Sequence, residues 1–374
     1  MVAFPYYEPS DIEALNAQAV ILLKLFAGRG YRREEPSVMQ PAEIFLDRSG
    51  EEIRRRTFTL TDLSGHELCL RPDLTIPICK HAVDAKVPFP ARLCYNGLAF
   101  RQQPSRPNRP TQFFQAGAEL LGLDDSAAGE REILSLSFDA LRAAGVENFE
   151  ILFGDLALFG ALVDALQIPA HWRARLKRHF WRAGYVETLL QRLGRTAQAV
   201  PSRAEIETRI DASKEAPSAG RSRAEIVARA MGQAEEAAAL RLNPAVVGVI
   251  TKLFGISGPA TEAVAEIRAL LKAAGIKLDA PMQAMDARLK AIADLGVDLG
   301  RVRFTAHFGR NMEYYTGFVF EVWAEAADGS IQIAGGGRYD TLLETLGAGK
   351  SVSAIGCAIR TERLLTVKNG KGAR

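Results

Sequence analysis

Several polar clusters in this chain have the side-chain types and spacing to grip a small polar molecule. In RNMEYYTG, Arg310 precedes Tyr314 and Tyr315 at the end of an alternating segment. A guanidinium fork matches a carboxylate, and a tyrosine hydroxyl exchanges hydrogen bonds with a ring nitrogen, so this cluster suits a ligand carrying both, the alternative being aromatic packing with a surface arginine. Further on, Gly335, Gly336 and Gly337 run into Arg338, Tyr339 and Asp340. Residues without side chains let something approach the backbone closely or let the chain turn at positive φ; the plainer reading is a tight strand-to-helix junction. Arg101 and Arg109 bracket the Pro-rich loop QQPSRPNRPT. Fixed guanidinium forks at both ends of such a loop suit phosphate or carboxylate, the alternative being that Arg106 and Arg109 are ordinary loop arginines. Asp73, in LRPDLT at the mouth of a strand, either binds an amine or caps the helix that Thr75 and Pro77 begin, where its charge is favourable. Arg54, Arg55 and Arg56 form a basic run read as solvated surface, with a phosphate role as the lesser reading.

The elements that must position these groups are legible in the periodicity. Alternation across VRFTAHF, FVFEVWAEA and SIQIA, with the turn AADGS between the last two, predicts antiparallel strands with one face buried. FTLTD and HELCLR alternate around a Ser–Gly turn as a hairpin, and RLCYNGLAFR and QFFQAGAELLG read as strands flanking the Pro-rich loop. Residues 10–29 open on a Ser or Asp cap, with Ile12, Leu15, Val20, Leu23 and Phe26 close to helical spacing and Gly30 at the end. SAAGEREILSLSFDALRAA is a further amphipathic helix ended by Gly145, after which ENFEILFGD resumes as a strand. From 167 to 297 the composition turns to Ala, Arg, Glu and Leu with a loose segment at 212–220, which predicts an inserted, mostly helical region. The fold class expected is α+β.

Composition sets bounds. A chain of 374 residues has room for one large domain with a smaller one inserted. Its 47 basic and 44 acidic residues leave a net charge of +3, which gives no argument for a nucleic-acid partner. Cys69, Cys79, Cys94 and Cys357 are far apart in apolar contexts and read as buried thiols of a reducing compartment. His171 and His179 have no cysteine or acidic partner at ligand spacing, so no metal is expected. No 18-residue apolar run and no basic start before an apolar core are present, so no membrane association is expected and the cytoplasm is the expected location.

In this order the motifs resemble the histidyl-tRNA synthetase family and, within that superfamily, its non-synthetase paralogue, the regulatory subunit of ATP phosphoribosyltransferase. RNMEYYTG looks like the family's second histidine-specific motif, and AGGGRYD with AIRTERLL like the end of the catalytic sheet plus class II motif 3. The stretch around the Pro-rich loop resembles motif 2, and YRREEPSVMQPAEIFLDRSGEE, with Pro41, resembles motif 1, which builds the dimer interface. The resemblance covers most of residues 5–160 and 300–367. It implies a class II synthetase-like antiparallel sheet flanked by helices, split into 1–166 and 298–367 by the inserted region 167–297 and succeeded by a flexible tail at 368–374. It further implies a histidine pocket made by Asp73, Gln115, Glu119, Arg310, Tyr314 and Tyr315, with Arg101, Arg109 and Arg363 on the nucleotide side.

The chain also departs from the synthetase pattern. Gln102, Gln103 and Pro104 stand where synthetases carry an acid and then arginine and proline, Phe114 replaces a common histidine, and Arg360 replaces a glycine. Only TVKNGKGAR comes after ERLL, where synthetases carry an anticodon-binding domain. The resemblance with these departures implies an intact histidine side, an adenine side altered at Gln103 and Arg360, and no tRNA partner. It thus implies a non-catalytic regulatory subunit without catalytic residues or cofactor. Such a chain is expected to dimerise through the class II core and assemble with a short-form ATP phosphoribosyltransferase catalytic subunit. That assembly would enable the reaction of ATP with phosphoribosyl pyrophosphate, the first step of histidine biosynthesis, and sense histidine as feedback effector. The alternative is an enzyme that activates histidine with ATP without tRNA selection; Arg101 and Arg310 speak for it, and Arg360 against.

Overall fold

Apolar residues at every second position bury one face of the central sheet, and its other face carries a second apolar cluster, including Leu93, Tyr95, Phe113 and Leu121, beside the buried Gln115 and Glu119. The computed structural model describes residues 7–46, 50–103, 110–166, 168–180, 183–194, 201–212, 223–239, 242–308 and 314–370. Among them the strands in chain order are β1 (Arg32–Arg33), β2 (Met39–Pro41), β3 (Phe58–Thr61), β4 (Glu67–Leu70), β5 (Ala91–Phe100), β6 (Gln112–Leu121), β7 (Glu150–Asp155), β8 (Ser257–Pro259), β9 (Val302–Thr305), β10 (Phe318–Ala326), β11 (Gly329–Arg338) and β12 (Ala354–Arg360). Nine of these form one sheet in the order β1-β5-β6-β12-β11-β10-β7-β9-β8, and the other three form a small sheet, β2-β4-β3. The helices Pro9–Gly28 and Ser126–Ala143 cover one face of the large sheet, meeting Ala116, Ala118 and Leu120 of β6 in a common apolar core. The intervening Gln115, Gly117 and Glu119 fall on the opposite face, because successive strand side chains alternate.

Three expectations are corrected by this arrangement. The strand at Val302 is shorter than VRFTAHF and pairs in parallel with β7, so the sheet is mixed rather than purely antiparallel; β1 and β5 are a second parallel pair. The glycine run is not the turn or strand-to-helix junction of the plainer reading but the end of β11, in line with its resemblance to the end of the catalytic sheet. Its glycines serve close approach. A Cβ on Gly336 would lie 2.2 Å from the Gly356 carbonyl, and one on Gly337 2.7 Å from that of Phe318. Lastly, Arg338 of that run is not a ligand group. It is buried, with its guanidinium donating to Glu130 (3.2 Å), Asp340 (3.1 Å) and Ser353 (3.0 Å).

The described residues between 168 and 297 are predominantly helical, with β8 reaching the edge of the large sheet. The helix Asp279–Asp294 returns to the sheet through Arg288, which donates to Glu130 at 2.6 Å and Asp155 at 2.5 Å and lies over the Phe318 ring. Glu130 thereby joins two buried arginines, and every charge in this buried cluster has a partner, as burial requires.

The small sheet shows a different kind of surface. Register aligns Met39, Leu70 and Phe58, then Pro41, Leu68 and Leu60, on one face. Met39, Pro41 and Leu60 are exposed there, whereas Cys69 on the other face is fully buried. All four cysteines are buried and free. Among the described residues no helix is long and apolar enough to cross a membrane.

Candidate ligand-binding cleft

Strands β6, β12 and β11 give a floor with little side-chain bulk. Gly335, Gly336, Gly356 and Ala358 line a cleft there, with Thr75, Tyr314, Tyr315 and Tyr339 around it. The same cleft takes in Gln115, Glu119, Arg101 and Arg360. Small residues are required under it. A Cβ on Gly356 would stand 1.7 Å from Glu119 Oε2, and one on Gly117 would stand 2.4 Å from the Tyr95 hydroxyl.

Glu119 is the most engaged group in the cleft. Its Oε1 accepts a hydrogen bond from Thr75 Oγ1 at 2.7 Å, and its Oε2 accepts one from the Tyr339 hydroxyl. Burial pushes its carboxyl up to about 8, against the pull of those hydroxyl bonds. Gln115 lies on the same face of β6 and donates from Nε2 to the Tyr95 hydroxyl at 3.1 Å. Tyr314 and Tyr315 pack against each other with ring centroids 4.9 Å apart, and both approach the Tyr339 ring, at 5.7 and 6.5 Å.

Asp73 combines a capping role with an unspent oxygen. Its Oδ1 accepts from the Ile76 amide at 3.0 Å and so caps the helix Thr75–Asp84. Its Oδ2 is buried with no hydrogen-bond partner among the described residues. Burial pushes this carboxyl up, opposed first by the charge of Arg101. Asp73 is not itself among the residues lining the cleft, although Thr75 and Arg101 beside it are.

The remaining candidate residues divide. Arg101 Nε donates to the Pro72 carbonyl at 2.7 Å and its guanidinium lies 5.4 Å from the Phe113 ring centroid. Arg360 approaches the same ring, at 4.0 Å. Gln103 accepts at Oε1 from Arg56 at 2.9 Å, and Arg56 also donates to the Gln102 carbonyl, so one member of the basic run ties down the start of the Pro-rich loop. Arg363 donates to the Gln332 carbonyl at 2.7 Å and does not line the cleft. Arg106, Arg109 and Arg310, with Glu313, lie outside the described residues. The Phe114 backbone amide donates to Glu362 at 2.5 Å, and the Tyr7 hydroxyl donates to the same oxygen. Among the described residues no three His, Cys, Asp or Glu side chains are grouped to hold a metal ion.

Tyr339, which the sequence groups with the glycine run, lines the cleft, and Tyr95, unforeseen from the sequence, supports it without lining it by accepting from Gln115. The sequence signal for Tyr339 is its place directly after the glycine run, and for Tyr95 its place in an alternating strand opposite Gly117.

The family model described as histidyl-tRNA synthetase matches residues 4–228 and 210–364 of the chain. The ATP phosphoribosyltransferase regulatory subunit of Allorhizobium ampelinum is 35% identical over 361 residues, spanning 92% of this chain and 95% of the relative. That of Rhizobium rhizogenes is 35% identical over 364 residues, spanning 93% and 96%. Among solved structures, an ATP phosphoribosyltransferase regulatory subunit/histidyl-tRNA synthetase from Bacillus halodurans superposes with a TM-score of 0.68 at 20% identity, covering 100% of this chain and 83% of that one. A histidyl-tRNA synthetase from Nostoc gives a TM-score of 0.62 at 15% identity, covering 97% and 73%. At those identities the structural likeness is one of fold.

Proposed function

The chain belongs to the ATP phosphoribosyltransferase regulatory subunits, a histidyl-tRNA synthetase-like family, and on that premise we propose how it works: it joins a short-form catalytic subunit, is required for that subunit's reaction of ATP with phosphoribosyl pyrophosphate in histidine biosynthesis, and conveys feedback by histidine. The observation that carries this reading is the cleft. It pairs a buried carboxylate and three tyrosines with arginines, the two kinds of group a zwitterionic amino acid with a basic ring demands. Glu119, whose carboxyl burial keeps protonated up to about 8, would meet the imidazole, and the leftover Oδ2 of Asp73 would receive the ammonium beside it. Arg310, through the resemblance, belongs to the same set.

Feedback requires that histidine bind one assembled state better than another, and whatever affinity difference it shows between those states is the most it can shift the equilibrium. The buried run from Tyr339 through Arg338 and Glu130 to Arg288 joins the cleft to the helix Asp279–Asp294, which offers such a coupling a rigid route.

Self-association as a dimer through the class II core is part of the proposal. Its support is the open apolar face of Met39, Pro41 and Leu60 on the small sheet, which a second copy would cover. Titration calorimetry of the purified chain with histidine tests the effector role: saturable binding of one histidine per chain is expected, and no heat of binding would rule out the cleft as the effector site. Sedimentation of the double variant Met39→Glu, Leu60→Glu tests the interface, with a monomer expected and an unchanged dimer placing the interface elsewhere.

A further inference from the structure

Glu119 sits in the cleft as an acid among hydroxyls. It lines the cleft, is almost wholly buried, and its Oε2 lies so close over Gly356 that a Cβ there would stand 1.7 Å away. Burial is the first influence on it; next, among the described residues, come the hydroxyls of Tyr339 and Thr75, the carboxyl of Asp73 and the Tyr95 hydroxyl, and no cation is one of these. Cys79 from the helix Thr75–Asp84, Tyr95 from β5, Tyr339 just after β11 and Cys357 from β12 also feel its charge, and burial raises each of them, so each stays neutral. The two arginines of the cleft act on other acids, Arg101 on Asp73 and Arg360 on Glu362. A buried carboxylate beside a second buried acid is costly, whereas hydroxyls hydrogen-bond with either form of a carboxyl, so this acid keeps its proton.

A protonated carboxyl has what a carboxylate lacks, an O–H donor. Thr75 and Tyr339 donate to the two oxygens of Glu119, so its own O–H is what it offers the cleft. A neutral imidazole has one N–H and one bare nitrogen that accepts; an imidazolium has two N–H groups and no acceptor. We propose that Glu119 acts in this cleft as a hydrogen-bond donor, its carboxyl O–H bonding the bare nitrogen of a neutral imidazole, and that it is thereby the residue that makes the site select the uncharged ring over the imidazolium. The inference rests on the reading that the cleft holds histidine, and it goes beyond that reading by fixing the polarity of the contact to the ring. Once the carboxyl ionises the donor is gone, so affinity falls as pH rises through about 8.

Two measurements test this. The nitrogen-15 spectrum of ring-labelled histidine bound to the unaltered chain at pH 7 should show one protonated and one bare, hydrogen-bonded ring nitrogen. Two protonated nitrogens would overturn the proposal, because the ring would then be an imidazolium on a carboxylate. Calorimetry with histidine on the unaltered chain and on Glu119→Gln should give affinities within about threefold of each other at pH 7, since the amide keeps both a donor and an acceptor; a loss of about tenfold or more, the size for a charged bond, would overturn it. Between pH 7 and pH 9 the unaltered chain should lose about tenfold more affinity than Glu119→Gln, the titration of histidine itself being common to both. Equal losses would overturn the proposal while leaving histidine binding standing. If the variant fails to fold, the spectrum of the unaltered chain decides. Absence of histidine binding in the unaltered chain would overturn both this inference and the reading beneath it.

Discussion

Tyr339 donates its hydroxyl to Glu119 although 220 residues separate them, and that bond ties the residue just after β11 to the C-terminal part of β6 in the cleft. It makes a buried acid the hub of the site, with Thr75 donating to its other oxygen.

The first consequence concerns pH. The Glu119 carboxyl is raised from an ordinary value of 4.5 to about 8 by burial, so between those values the folded chain holds a proton that the unfolded chain has released. Its contribution to stability therefore falls as pH rises across that window. Urea unfolding at pH 5 and pH 8 should show Glu119→Gln losing less stability over the interval than the unaltered chain. An equal loss would mean that this acid titrates normally.

A second expectation separates the acid that caps from the acid that binds. Asp73→Asn keeps an oxygen for the Ile76 amide but removes the charge at Oδ2. Folding should be little changed, while the histidine concentration needed for inhibition should rise roughly ten- to hundredfold, the range for one charged hydrogen bond of about 1.5–3 kcal/mol. Tyr315→Phe should weaken inhibition by a smaller factor. Unchanged inhibition in both variants would place the effector site elsewhere.

Packing under the cleft gives a third. Gly356→Ala puts a methyl 1.7 Å from Glu119 Oε2 and 2.8 Å from the Ala118 carbonyl, so the carboxylate must leave its place. A loss of about 1–3 kcal/mol in denaturant unfolding is expected, together with loss of histidine binding. Gly160→Ala, in the helix Leu156–Ala165 with its nearest neighbour 4.0 Å away, should instead be neutral or stabilising by up to about 1 kcal/mol.

The buried charge cluster supplies a fourth. Arg288→Met strips Asp155 and one side of Glu130 of their partner inside the protein, and a loss of about 3–5 kcal/mol is expected. Adding Asp155→Asn should recover part of it. If the single variant were as stable as the parent, water would have to reach the cluster.

Much of the sheet was legible because alternation marks a strand, as in FVFEVWAEA, although QFFQAGAELL is buried on both faces from Gln115 onward. Pairing is another matter. That β9 runs parallel to β7 depends on how the helical region between them returns, and no local pattern in VRFT carries that information. The glycine run illustrates the same limit: its composition allowed a turn or a close approach, and only the neighbouring strands, with Gly356 and Phe318 against it, decide. Arg338 looked like a ligand residue because a buried arginine and a binding arginine share one letter; Glu130, more than 200 residues earlier, is what distinguishes them. Asp73 shows that capping leaves room for a second role, since a carboxylate has two oxygens.

The regulatory role itself is put to the test by phosphoribosyl transfer to ATP, assayed with a short-form catalytic subunit from the same genome, with and without this chain, and then titrated with histidine. Transfer is expected to depend on the chain, to fall as histidine is added, and to resist histidine when the Asp73→Asn variant is used. Transfer that proceeds equally well without the chain, or that histidine slows equally with either form of it, would contradict that role.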